Sequence, residues 1–209
     1  MSPKRTPLHA ACLATLLATA CTTSEPSDMA ATATDPETFA EVGAATHEPS
    51  LVEREPKAPL VFHAQQGWSV ESPSSNMRKA QYRLPRVASD TEDASLIVYF
   101  FGGGGGSVQA NLDRWGSQFE REDGTPASES MRIHTRSIAS CPATLAELSG
   151  TYVAETFPGS GETHHKPDWS MRAAIIETQH GPYYVKLVGP RSTVDHWQAS
   201  YERFLASVE

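Results

Sequence analysis

Cysteine is scarce in this chain: three among 209 residues, at positions 12, 21 and 141. No two of them form a CxxC pair, which removes the usual spacing of a redox dithiol or of a zinc site. Basic residues are in the minority, 17 Lys and Arg against 25 Asp and Glu, for a net charge of −8. An acidic balance of this kind argues against nucleic acid as a partner and against electrostatic docking to anionic lipid. Long hydrophobic runs are missing as well. The apolar run at residues 8–20, about 13 residues long, is too short to cross roughly 30 Å of hydrocarbon. The chain also contains no GxxxxGK[ST] phosphate loop, no HExxH metalloprotease motif and no GxSxG nucleophile elbow. The expectation is therefore a protein that is not an enzyme and uses no cofactor.

What the N-terminus does have is a pattern. Lys4 and Arg5 precede the apolar run LHAACLATLLATA, which ends in Ala18-Thr19-Ala20-Cys21 before polar sequence begins. A basic start, a short apolar core and small residues before a cut describe a secretory signal over residues 1–20. The Ala-Thr-Ala-Cys end resembles a bacterial lipobox, although Ala18 stands where leucine is usual and Leu17 falls one place early. The resemblance implies that Cys21 is acylated and anchors the chain to a membrane. It also implies export to the cell envelope, at the outer membrane or the periplasmic face. Cys141 is then the one thiol left in the mature chain, so no internal disulfide can form, and a buried, inert position is expected for it.

Residues 21–58 read as a tether. From 22 to 58 the chain is rich in Ala, Thr, Pro, Ser and Glu, and Phe39 is its one aromatic residue. Such a segment cannot bury enough apolar surface to offset its chain entropy, so disorder is expected. From residue 59 to 209 the composition changes, and a single domain of normal size follows. Its pattern predicts short strands at 60–64 and 68–71 and an alternating strand at 78–84 with Ala80, Tyr82 and Leu84 on one face. A central strand at 94–101, buried on both faces, is expected next. Val108, Leu112, Trp115 and Phe119 then form one helical stripe, with Ser107 as its cap. Strands are expected at 131–138, anchored by Ile133 and Ile138, and at 146–156. A polar loop at 158–168 and a hairpin of 169–178 with 182–188 follow. A last helical stripe runs through Val194, Trp197, Tyr201, Phe204, Leu205 and Val208, capped by Ser192 with Asp195. The order implies an α+β fold, a mainly antiparallel sheet with two long amphipathic helices.

The C-terminal phrase KLVGPRSTVDHWQASYERFLASV resembles the end of PsbP-like domains, where a strand runs into a Gly-Pro turn and a final helix. The blocks GWSVESPSSNMRKAQYRLPR and DASLIVYFFGGGGGSVQANLDRW are similar to those of bacterial lipoproteins with such a domain. The resemblance spans most of residues 66–207 and implies an α/β/α sandwich. It further implies a binding or assembly module, and it brings no catalytic residue.

Two stretches are candidate sites. Gly102, Gly103, Gly104, Gly105 and Gly106 with Ser107 stand between a strand and a helix, as a phosphate cradle does. No lysine follows them, and Ser107 occupies the third glycine position of a dinucleotide loop, so a tight structural corner is expected instead. His164, His165 and Asp168 lie near Glu162 in the polar loop, but adjacent side chains of an extended strand point apart, so a solvated loop is expected instead of a metal site. The four tryptophans are expected to fill the core. The reading is a lipid-anchored envelope protein that binds an envelope protein or ligand. The alternative is an enzyme or metal-dependent binder using the 158–168 loop and the Gly102–Gly106 turn.

Overall fold

The computed structural model describes residues 59–209; the expected signal, the tether and Cys21 lie outside the described residues. The alternating segments form strands: β1 (Ser69–Glu71), β2 (Arg78–Leu84), β3 (Ala94–Phe100), β4 (Phe119–Glu120), β5 (Arg132–Ile138), β6 (Cys141–Tyr152), β7 (Lys166–Ile176) and β8 (Tyr183–Pro190). They make one antiparallel sheet in the order β1-β2-β3-β8-β7-β6-β4, with β5 also pairing with β6. Helix α1 (Val108–Gly116) follows β3, and α2 (Arg191–His196) and α3 (Gln198–Ala206) close the chain. The fold is α+β with a mainly antiparallel sheet and few helices.

Strand alternation sends side chains to two faces. On the first face Leu84, Leu96, Val98, Val185 and Leu187 pack under α3 with Tyr201, Phe204 and Leu205. The Phe204 ring touches Trp68 at 5.2 Å and Tyr82 at 5.6 Å between centroids, so the early tryptophan belongs to this core. On the second face Ala146, Leu148, Met171, Ala173 and Ile175 meet Leu112 and Trp115 of α1. Helical elements therefore lie on both sides of the sheet.

Several expectations are corrected. Residues 60–64 form no strand, because Leu60 enters the first core while Val61 exchanges backbone hydrogen bonds only with Glu209, at the far end of the chain. β3 is fully buried on one face only, through Ala94, Leu96 and Val98; Ile97 and Tyr99 on the other face keep some surface because one short helix covers little of that side. Helix α1 stops at Gly116, where a Cβ would come within 2.8 Å of the Ser128 side chain. Phe119 leaves the helix for β4 and is fully buried from there. Ile133 is 52% exposed, since β5 lies on the sheet margin with nothing packed over it. The 146–156 strand begins five residues earlier, at Cys141, and Cys141 itself is buried as expected.

The polar loop closes by Lys166, so Asp168 belongs to β7. The final helix is not one long rod: it kinks at Trp197, whose indole Nε1 donates to the carbonyl of Pro85 at 2.9 Å and holds the ring away from the helix line. Its start is capped from another segment, by Asp90, whose Oδ2 accepts from the Thr193 amide at 2.9 Å and from its hydroxyl at 2.6 Å; Ser192 plays no such part.

Candidate functional site

The second face of the sheet is where polarity intrudes. Register places Lys186 of β8 opposite Ile97 of β3 and Ala173 of β7, in the middle of the sheet. Strand alternation turns its side chain to the α1 side, among Tyr99, Tyr184 and Val188. Its amine donates to Oε1 of Gln118, just past α1, and lies 5.5 Å from the centroid of the Tyr152 ring. The residue as a whole keeps some surface. Burial of the amine, with the Arg114 charge second, pushes its pKa down to about 8.

Arg114 projects from α1 toward the same space and donates to Oδ1 of Asn111. Asn111 in turn donates to the carbonyls of Gly105 at 2.9 Å and Ser107 at 2.8 Å, which fixes the helix start. Among the described residues, neither Lys186 nor Arg114 forms an ion pair with a carboxylate. By contrast Arg83, Arg121, Arg132, Arg136, Arg172 and Arg191 all do.

Around these cations is a cavity of about 290 Å³ lined by Tyr99, Phe101, Arg114, Gln118, Tyr184 and Lys186, with Pro158 at its edge. Tyr99 of β3 and Phe101 just past its end stack with an interplanar angle of 9° at 5.9 Å, and Phe101 meets Tyr184 at 5.5 Å. Burial raises the pKa of Tyr99, Tyr152 and Tyr184, so all three stay neutral near pH 7. The arrangement can hold negative charge against a flat apolar wall.

The glycine run does not cradle this space. Gly102, Gly103 and Gly106 have φ of +59°, +89° and +80°, so the chain reverses through conformations that side chains resist. Ser107 caps α1 by accepting from the Ala110 amide at 3.1 Å, as expected. The corner is locked from behind, because the Tyr184 hydroxyl donates to the Gly106 carbonyl. The hairpin turn between β7 and β8 presses on it too: a Cβ on Gly181 would lie 2.6 Å from the Gly103 nitrogen.

His164, His165 and Asp168 do not gather. The His164 ring stacks on Tyr152 at 5.5 Å, with Trp169 stacked on that tyrosine at 5.5 Å as well. His165 is exposed, and Asp168 pairs with Arg191. No group of three or more His, Cys, Asp or Glu among the described residues is placed to hold a metal ion. Nor, among them, is any helix long and apolar enough to cross a membrane. A larger space of about 420 Å³, beside Leu60, Phe100 and Tyr183, has mainly apolar walls and one cation, Lys79, 5.7 Å from the Phe100 ring.

Sequence reading missed Lys186 and Arg114. The signal was present in YYVKLVG: one lysine inside an apolar strand at the centre of a sheet must either snorkel out or face something polar. Arg114 carried no such mark, being one of two adjacent charges, with Asp113, on a short helix.

No protein-family model matches this chain, and no curated protein matches it. Among solved structures it is similar to a Pseudomonas aeruginosa protein of unknown function, at 11% identity over 67% of this chain and 94% of that one, with a TM-score of 0.43. It is also similar to the cyanobacterial PsbP protein (CyanoP) of Synechocystis, at 9% identity over 72% of this chain and 91% of that one, with a TM-score of 0.38.

Proposed function

We propose that this chain is an exported cell-envelope lipoprotein, anchored through Cys21, whose globular domain is a non-enzymatic binding module. The cavity over Lys186 is its binding site. The observation that supports this reading is the pair of cations, Lys186 and Arg114, directed at one aromatic-lined space without a carboxylate partner among the described residues. Holding a charge in such a place costs stability, and a bound partner that neutralises it recovers that cost. The basic start and the Ala-Thr-Ala-Cys sequence support the anchor. A spacer of about 38 residues, 21–58, would hold the domain off the membrane.

Two measurements test the reading. Cys21→Ser is expected to move the protein from the membrane to the soluble fraction and to abolish labelling by a fatty-acid probe; unchanged fractionation rejects the anchor. Native mass spectrometry of the chain purified from envelopes is expected to show an added small-molecule mass that disappears in the Lys186→Met/Arg114→Met double variant. An added mass that survives in the double variant places the binding site elsewhere.

A further inference from the structure

We propose that the cavity between α1 and the sheet takes a small ligand in which a flat conjugated ring carries a carboxylate. The inference rests on the binding reading above and names the chemistry that the same site would select.

Three features of the cavity converge on that class. The first is charge. Lys186 and Arg114 approach from opposite walls, one from the sheet and one from the helix, and the Arg114 charge makes that of Lys186 less favourable. A single carboxylate between them would accept from both, the strong form of hydrogen bond in a partly dry site. Gln118, which lines the same space, already accepts from Lys186.

The second feature is shape. The stacked Tyr99 and Phe101 rings, joined by Tyr184, form an unsaturated wall. Ring faces favour an offset-stacked or edge-on partner over an aliphatic chain of equal size. The third is size. A space of about 290 Å³ holds one or two fused rings with a carboxylate. The 420 Å³ space beside Phe100 serves as the internal control, since it offers one lining cation, Lys79, instead of two.

The test uses two compounds of one shape. The purified full chain is titrated at pH 7 with 2-naphthoate and with 2-naphthamide, and amide signals are followed by ¹H–¹⁵N NMR. Naphthoate is expected to shift the signals of Tyr99, Phe101, Gln118 and Lys186 and to bind at least tenfold more tightly than the amide. Lys186→Met and Arg114→Met should each erase that preference, Lys186→Arg should retain part of it, and Lys79→Met should leave it intact. Equal affinity for the two compounds overturns the carboxylate inference while the binding reading stands. Shifts confined to residues around Phe100 and Tyr183 overturn the choice of cavity, and with it both statements. Absence of binding by either compound at millimolar concentration overturns the inference, and the mass-spectrometric result then decides the binding reading independently.

Discussion

Tyr184 occupies the place where Gly105 would carry a side chain: a Cβ built on Gly105 falls 2.3 Å from the tyrosine oxygen. The ring cannot easily move, because its hydroxyl donates to the next carbonyl, that of Gly106, and its face meets Phe101. The five glycines are thus not equivalent. Gly105→Ala is expected to destabilise the fold by on the order of 2 kcal/mol through overpacking. Gly104→Ala, with a Cβ no closer than 3.4 Å to any neighbour, is expected to change stability by less than about 0.5 kcal/mol. Urea unfolding of the two variants checks this. Equal effects would mean that the run acts as a flexible hinge and not as a packed corner.

The turn between β5 and β6 is built from Ala139 and Ser140, at φ of +50° and +61°. Two consecutive positive values are those of a type I′ hairpin turn, which Asn-Gly fills without strain. The double change Ala139→Asn/Ser140→Gly is expected to stabilise the protein by about 1 kcal/mol. The midpoint of thermal unfolding should rise accordingly; a fall would show that the native side chains make contacts worth more than the backbone strain.

Arg172 ties the helical end of the chain to the first face of the sheet. It donates to Glu147 at 2.6 Å, to Gln198 at 3.1 Å and to Asp195 at 3.3 Å, and only 9% of its side chain is exposed. Arg172→Ala is expected to cost about 2–4 kcal/mol, below the usual maximum for breaking a buried pair because Arg132 remains beside Glu147. Chemical denaturation measures the loss. A cost under 0.5 kcal/mol would mean that α2 is held by Asp90 and Thr193 alone.

Lys186 couples stability to pH. Its folded pKa, about 8, lies below the ordinary lysine value of 10.5, so the charged form is disfavoured in the native state. Between those two values the unfolded chain binds the extra proton, and stability rises with pH across that window. Below pH 8 the penalty is fully present. The groups facing the amine are Arg114 on α1, Tyr99 on β3 and Tyr152 on β6; the tyrosines, raised by burial, remain neutral across most of that window. Lys186→Met is therefore expected to stabilise the protein at pH 7 by on the order of 1–2 kcal/mol, discounted for the solvent that reaches this half-buried residue. The same change should flatten the rise in stability between pH 8 and 10. A wild-type profile without that rise would show the amine to be fully hydrated.

The sequence made the outline readable because two periodicities are strong here. Alternation in RKAQYRL and the helical stripe of Val108, Leu112 and Trp115 depend on neighbours only a few residues away. What stayed hidden depends on distant parts of the chain. The Ala139-Ser140 turn has no turn-forming composition, so the β5–β6 hairpin carried no local signal. The kink at Trp197 is imposed by Pro85, over a hundred residues earlier, and the cap on α2 comes from Asp90. The site suffered in the same way: glycines and histidines drew attention as motifs, whereas Lys186, Arg114 and Gln118 meet only after the sheet has placed β8 under α1.

Gly150 interrupts β6 so tightly that a Cβ there would sit 2.4 Å from the Glu120 carbonyl oxygen, and different neighbours guard the strand on either side of it, β5 before and β4 after. The margin of the sheet is consequently broken into two short steps and not one straight seam. A second molecule adding itself as a further strand would find a seven-residue ledge studded with Arg132, His134 and Arg136, and then a jog. Runaway polymerisation along that side is disfavoured by geometry as well as by charge.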